Sequence, residues 1–165
     1  MAEADLAERL RSHFSDVQMA LGEVTVIVAP DEIASSLEHL RSEAGLEFDF
    51  LSDLSATDWP GREPRFWLAY QLYSMSHRHR IRLKAGLAEE APRVATVTGL
   101  YPTADWLERE VFDFFGIVFD GHPDLRRIIM PDDWEGYPLR KDYSLGGVGT
   151  HYKGAFIPPV DERGM

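Results

Sequence analysis

The residues best suited to chemistry in this sequence are two carboxylates and an imidazole. Glu110 and Asp113 stand three apart, on one face if the stretch is helical, and His122 follows nine positions later. Such a set could hold a divalent cation or share a proton between two acids. The same stretch also supplies competitors for the carboxylates, in Arg109, Arg126, Arg127, Arg140 and Lys141. Arginine–carboxylate pairing accounts for these charges without any reaction. His122, standing before Pro123, also reads as a turn residue whose ring nitrogens bond to backbone. Other signatures are weaker. His77 and His79 would share one side of a strand but have no evident third ligand. Gly146-Gly147-Val148-Gly149 lacks a following helix to present amides to a phosphate, and no Gly-x-Ser-x-Gly elbow occurs.

The carboxylates need a scaffold, and the stretch from Trp106 to Tyr143 has to provide it. Trp106 to Phe115 has helical spacing and Gly116 ends it. On a wheel of about 3.6 residues per turn, Leu107, Val111, Phe114 and Phe115 share one face, and Trp106, Arg109, Glu110 and Asp113 share another. Arg109 and Asp113 are spaced to pair, whereas Glu110 and Asp113 repel unless a cation from the later arginines sits between them. Charges this densely mixed with aromatics must be partnered internally or lie under another chain, because an unpaired buried charge is costly. The alternative is a solvated helix whose surface ion pairs contribute little. Thr103 is in position to cap the helix.

Upstream, residues 4–14 have the spacing of a short amphipathic helix carrying Leu6, Leu10 and Phe14 on one side. Glu23–Ala29 reads as a strand, and Pro30-Asp31-Glu32 opens a helix, with Asp31 as its cap, that ends at Gly45. Phe48–Ala56 reads as a strand ending before a turn at Asp58-Trp59-Pro60-Gly61. Phe66–Tyr73, apolar on both faces, reads as a central strand. Ser74–His77 then turns into a strand that alternates strictly. Ile81, Leu83 and Ala85 point inward, and Arg78, Arg80, Arg82 and Lys84 line the other side. That row is either a charged solvent face that deters edge pairing or a docking strip for an acidic partner. Val94–Val97 reads as one more short strand. The order predicts an α+β fold, a mixed β-sheet with helices packed on it. The predicted domain spans residues 1–143, followed by an extended C-terminal tail over 144–165 that carries Tyr152, Phe156, Ile157 and Val160.

With 165 residues the chain can bury one domain's core. It has no cysteine, which excludes disulfides, thiol catalysis and cysteine-ligated clusters within it. A net charge of −11 argues against nucleic acid as a general partner. No apolar run is long enough to cross a bilayer, and the acidic N-terminus does not read as a signal peptide. The expected location is the cytoplasm or a cytoplasmic membrane face.

Several motifs in fixed order carry a resemblance. They are Glu108-Arg109-Glu110-x-x-Asp113, Gly116-Ile117, His122-Pro123-x-Leu125-Arg126-Arg127-Ile128, and Trp134-x-Gly136-x-Pro138-Leu139-Arg140-Lys141-Asp142-Tyr143. Together they strongly resemble the 30-kilodalton subunit family of respiratory complex I. Ile129, where many relatives carry Leu, is a mild departure.

The resemblance implies a cofactor-free peripheral-arm subunit of a proton-translocating NADH:quinone oxidoreductase. In such a complex FMN, iron–sulfur clusters and quinone are held by partner subunits, and catalytic, cofactor and metal residues are expected to be absent from this chain. The implied partners are the quinone-site 49 kDa-type subunit, the terminal-cluster subunit and a ferredoxin-like subunit. The implied location is the cytoplasmic face of the bacterial cell membrane. The motif residues Glu108, Arg109, Glu110, Asp113, Gly116, His122, Pro123, Arg126, Arg127, Trp134, Pro138, Arg140, Lys141, Asp142 and Tyr143 become structural or interface residues. Some relatives are fused to their neighbour; nothing follows Met165 here, so a separate subunit is expected. Hydrogenase-type and ferredoxin-fed complexes use similar subunits, so the motif leaves the electron donor open.

Overall fold

Buried and more exposed side chains alternate along three of the five strands of the main sheet, and that period of two builds the layer on which everything else rests. The computed structural model describes residues 3–143 together with 151–152 and 155–156. Helix α1 (Glu3–Arg11) precedes a hairpin of β1 (Asp16–Ala20) and β2 (Glu23–Val28). A single 3-10 turn, Pro30–Glu32, runs into α2 (Ile33–Ser42), followed by β3 (Phe50–Asp58), β4 (Phe66–Tyr73) and β5 (Arg80–Leu87). Then come β6 (Arg93–Ala95), α3 (Ala104–Phe115) and β7 (Val118–Asp120). Two short strands, β8 (His151–Tyr152) and β9 (Ala155–Phe156), pair antiparallel. The rest of the tail expected over 144–165 lies outside the described residues.

The main sheet runs β1-β2-β5-β4-β3; β2 and β5 are parallel, and every other neighbouring pair is antiparallel. This is the mixed sheet of the expected α+β fold. Val26, Leu83, Tyr70 and Leu54 form one buried cross-strand row. Ile33, Leu37 and Leu40 of α2 join the same core with Leu6 and Leu10 of α1. The next row along, Ile27, Lys84, Ala69 and Ser55, faces the other way. β4 is an interior strand, but β5 occupies the centre. β6 and β7 make a separate parallel pair.

Several local details differ from the sequence reading. β1 carries no alternation and is almost wholly exposed, so hydrophobic periodicity does not reveal it. Its ladder to β2 holds it in place, across a turn at Leu21-Gly22 where both residues have positive φ. β3 starts two residues later than expected and carries a bulge between Leu51 and Asp53, which lets Leu51 and Leu54 both reach the core. Asp31 makes no cap bond; the Glu32 carboxylate accepts from the Ala29 amide at 3.3 Å instead. Thr103 occupies the cap position of α3, yet its hydroxyl donates to the Leu51 carbonyl at 3.3 Å and ties the helix to the sheet.

Candidate functional site

In α3, Ala104, Glu108, Val111 and Phe115 recur every three or four residues and form the buried stripe. The expected apolar face of Leu107, Val111, Phe114 and Phe115 is therefore rotated, and a glutamate occupies it. Glu108 is fully buried. Its Oε1 accepts from the Val97 amide at 2.8 Å and its Oε2 from the Thr96 hydroxyl at 2.5 Å. Burial pushes its carboxyl above the ordinary range, against the pull of these two donors and of His122. The His122 ring is also buried, with Nε2 3.9 Å from Glu108 Oε2. Nδ1 accepts from the Asp124 amide at 3.0 Å, so Nε2 carries the hydrogen and donates to the Asp105 carbonyl at 3.1 Å. The turn reading of His122 thus covers one nitrogen, while the other anchors the start of α3.

Asp113 and Arg109 point away from the sheet, yet both are buried, because the segment 125–143 is laid along that side of the helix. This strap has no regular secondary structure and is held by specific bonds. Asp113 Oδ2 accepts three consecutive amides, Ile128, Ile129 and Met130, at 3.1, 2.8 and 2.9 Å. Arg127 Nη1 donates to Asp113 Oδ1 at 2.7 Å and to its carbonyl at 3.0 Å, while Nη2 reaches the Gly136 carbonyl at 2.9 Å. Burial alone pushes the Asp113 carboxyl up, but the Met130 and Ile129 amides, Arg127 and the Ile128 amide outweigh it and hold the carboxyl below its ordinary value. The expected Arg109–Asp113 pair does not form. Arg109 Nε donates to the Arg126 carbonyl at 3.2 Å and its guanidinium lies over the Trp106 ring.

At the C-terminal end of α3, Gly116 adopts φ +69 and its amide caps the helix on Phe112. The Tyr137 ring is packed so closely that a Cβ built on Gly116 falls 2.4 Å from Cε2. Arg140 inserts between the Phe66 and Tyr137 rings and donates to the Phe115 carbonyl at 2.6 Å. Leu139, after Pro138, donates its amide to the Phe114 carbonyl at 3.1 Å. Gly116→Ala is therefore expected to lose about 2–4 kcal/mol, through left-handed strain and displacement of Tyr137. Chemical denaturation of Gly116→Ala, alone and with Tyr137→Ala, measures it; the double variant should recover the steric share. Equal stability of Gly116→Ala and wild type would contradict the packing described.

A second lock joins the strap to the sheet. Arg65, buried, holds Asp58 through Nε at 2.7 Å and Nη2 at 3.0 Å, Glu89 at 2.6 Å and Asp142 at 2.9 Å. The Lys141 amide donates to Asp58 Oδ2 at 2.7 Å. The Arg65 hydrogen bonds hold the Asp58 carboxyl low despite burial, and Asp58 in turn raises Arg65 above its ordinary value. Sequence reasoning misses both residues, since it places Asp58 in a turn and finds no motif at Arg65. The available hint is a lone arginine abutting the apolar run of β4. Lys141 acts here through its backbone, and its side chain is exposed.

The remaining motif residues fall around these locks. Trp134 stacks on Tyr143, whose hydroxyl donates to the Glu135 carbonyl at 3.2 Å. Arg126 pairs at the surface with Asp124, and Pro123 is an exposed turn residue. Glu110 is half-buried and makes no hydrogen bond or ion pair among the described residues. The trio Glu110, Asp113 and His122 is not one site, because Asp113 is closed by the strap and His122 serves the other end of the helix. Among the described residues, no group of three or more His, Asp or Glu side chains is placed to hold a metal ion. Trp106, Ile129 and Leu139 are 62%, 55% and 48% exposed along the helix and strap.

The sequence profile described as "Respiratory-chain NADH dehydrogenase, 30 Kd subunit" matches residues 26–148. A Salinispora arenicola protein, named as the C-type subunit of NADH-quinone oxidoreductase, is 54% identical over 143 residues, covering 86% of this chain and 58% of that protein. One of the same name from Mycolicibacterium gilvum is 43% identical over 166 residues, covering 99% of this chain and 73% of that one. The chain spans somewhat under three fifths of the length of several such relatives. Among solved structures, the trypsin-resistant fragment (1-134) of Nqo5 is similar with TM-score 0.65 and 32% identity, covering 76% of this chain and 100% of that one. A chain of the membrane-bound sulfane sulfur reductase, an archaeal respiratory membrane complex, gives TM-score 0.74 and 26% identity, covering 87% and 85%. The motif stretch falls inside the matched residues and the fold recurs in these solved relatives, so this chain belongs to the 30-kilodalton subunit family of the respiratory-chain NADH dehydrogenase.

Proposed function

We propose that this chain is a cofactor-free peripheral-arm subunit of a proton-translocating NADH:quinone oxidoreductase, with a structural role. It holds the quinone-site 49 kDa-type subunit and the terminal-cluster subunit in register, beside a ferredoxin-like subunit, while electrons pass from NADH to quinone. FMN, the iron–sulfur clusters and quinone belong to those partners, and the chain sits at the cytoplasmic face of the bacterial membrane through them. Among the described residues no helix is long and apolar enough to cross a membrane.

The observation that carries this reading is the fate of the motif charges. Glu108 is spent on the Val97 amide and the Thr96 hydroxyl, while Asp113, Arg127 and Asp142 are spent on backbone amides, carbonyls, Arg65 and one another and hold a strap of otherwise irregular chain in place. A bonded irregular strap with Ile129 and Leu139 exposed on it, beside Trp106 exposed on α3, suits recognition by a neighbouring protein surface. Relatives named as oxidoreductase subunits support the same reading. The similarity to a chain of a sulfane sulfur reductase complex favours, as a second reading, a subunit of a related complex with another electron donor.

Charge reversal at Arg140 tests the role. Arg140→Glu puts a carboxylate against the Phe115 carbonyl and should cut the amount of assembled complex severely, leaving quinone affinity unchanged in whatever complex remains. Native gel quantification with quinone titration checks this. Normal assembly with collapsed turnover would refute the structural role. Mass spectrometry of the same preparation from detergent-solubilised membranes identifies the donor-side subunits and separates the two readings.

A further inference from the structure

We propose that the outer face of the five-stranded sheet, around Arg80, Lys84, Trp67 and Tyr73, is covered in the assembly by an acidic segment of a neighbouring subunit. This rests on the reading of the chain as part of a multi-subunit assembly, and it concerns a surface remote in sequence from the strap. The buried residues of β2, β4 and β5 all lie on the face that the helices cover. On the opposite face Trp67, Ala69, Gln71 and Tyr73 of β4 are only half-buried.

The basic row on β5 could be understood as protection against edge-to-edge pairing, but the topology rules that out. β5 is the central strand, hydrogen-bonded to β2 on one side and β4 on the other, so it has no edge to protect. Its cations are also incompletely neutralised. Arg82 pairs with Glu23 at 2.7 Å. Among the described residues, Arg80 and Lys84 have no carboxylate partner, and the Lys84 amine lies 4.7 Å above the Trp67 ring instead. This occurs in a chain whose net charge is −11.

Beside Arg80 lies a groove of about 460 Å³, bounded by Phe50, Asp53, Gln71, Tyr73, Met75 and Glu23. Phe50 and Met75 on its rim are 44% and 62% exposed. Arg80 lines this groove opposite Asp53 and Glu23, of which Glu23 is taken by Arg82, and Lys84 lies on the same face four residues along β5. A covering segment therefore needs carboxylates spaced to meet Arg80 and Lys84 and an apolar side chain to enter beside Tyr73. An acidic protein segment with an embedded apolar residue has both.

The chain contains three lysines, Lys84, Lys141 and Lys153, and Lys84 lies on this face, so amine chemistry resolved by peptide mapping can report on it. The tagged full-length chain is purified alone and within the complex extracted from detergent-solubilised membranes. Co-purification of other subunits tests the assembly reading separately, before this face is interrogated. In the complex, acetylation of Lys84 should be about tenfold slower than in the isolated chain, because a covered amine must first be exposed. A zero-length carbodiimide should couple Lys84 to an Asp or Glu of another subunit. In a second variant, Arg80→Glu with Lys84→Glu, the chain should fold with an unchanged circular dichroism melt, yet recover at least about tenfold less partner. The proposal fails if Lys84 reacts equally fast in both preparations. It also fails if Lys84 couples only to carboxylates of its own chain or of a second copy, or if the double variant retains its partners.

Discussion

Asp113→Ala is expected to release the strap from α3. The substitution leaves Arg127 without its carboxylate and the amides of Ile128, Ile129 and Met130 without an acceptor. Breaking a buried pair in this way costs about 3–5 kcal/mol. Hydrogen exchange should show the strap amides losing protection, and denaturant unfolding should show a lower midpoint. Exchange indistinguishable from wild type would mean that the strap is held by something else. The pH dependence has a definite sign. Because the folded-state carboxyl is held below its ordinary value, its contribution is complete above the unfolded-state pKa of about 3.9 and is lost as pH falls through the folded-state value. The stability gap between wild type and Asp113→Asn should therefore be full at neutral pH and close progressively below about pH 4.

Arg65→Met should be comparably damaging for a different reason. It removes the cation that is hydrogen-bonded to the buried Asp58 carboxylate and detaches Asp142. A buried charge then remains without its partner, and the expected loss is again about 3–5 kcal/mol at neutral pH. Adding Asp58→Asn removes that charge while leaving an oxygen for the Lys141 amide, so the double variant should be more stable than Arg65→Met alone. Lowering the pH should also relieve the single variant, since a protonated Asp58 no longer needs a counter-ion. A double variant no better than the single would show that Arg65 acts through packing on Phe66 and not through charge.

These two locks explain why the motif residues cluster. α3 is clamped on both sides, by the sheet through its Glu108 stripe and by the strap through Asp113, so charges that a surface helix would expose are buried here. That supports the proposed scaffold role, since the Glu108 and Asp113 carboxylates are already committed to donors within the chain. The proposed contact surfaces are the exposed apolar side chains along the strap and the Arg80 and Lys84 cations on the outer sheet face.

Much of the scaffold can be read from the chain itself. Alternation in β2 and β5 and the three-to-four spacing in α1, α2 and α3 identify those elements, because a period of two or of 3.6 follows from where successive side chains point, and β4 is identified by a run apolar on both faces, which suits an interior strand. Gly116 marks the end of α3 because few other residues adopt its backbone conformation. The dense mixing of charge and aromatics signals internal partnering, because neither solvent nor an apolar core alone accommodates it. The choice of partners is not legible in the same way. Arg127 rather than Arg109 takes Asp113, Arg65 rather than Arg140 takes Asp142, and β1 forms a strand with no periodic signal at all. Local spacing restricts which residues can meet within one element, whereas pairing across the fold depends on which carboxylate the tertiary packing seals from water. Only there does desolvation make one hydrogen-bond geometry decisively better than its alternatives.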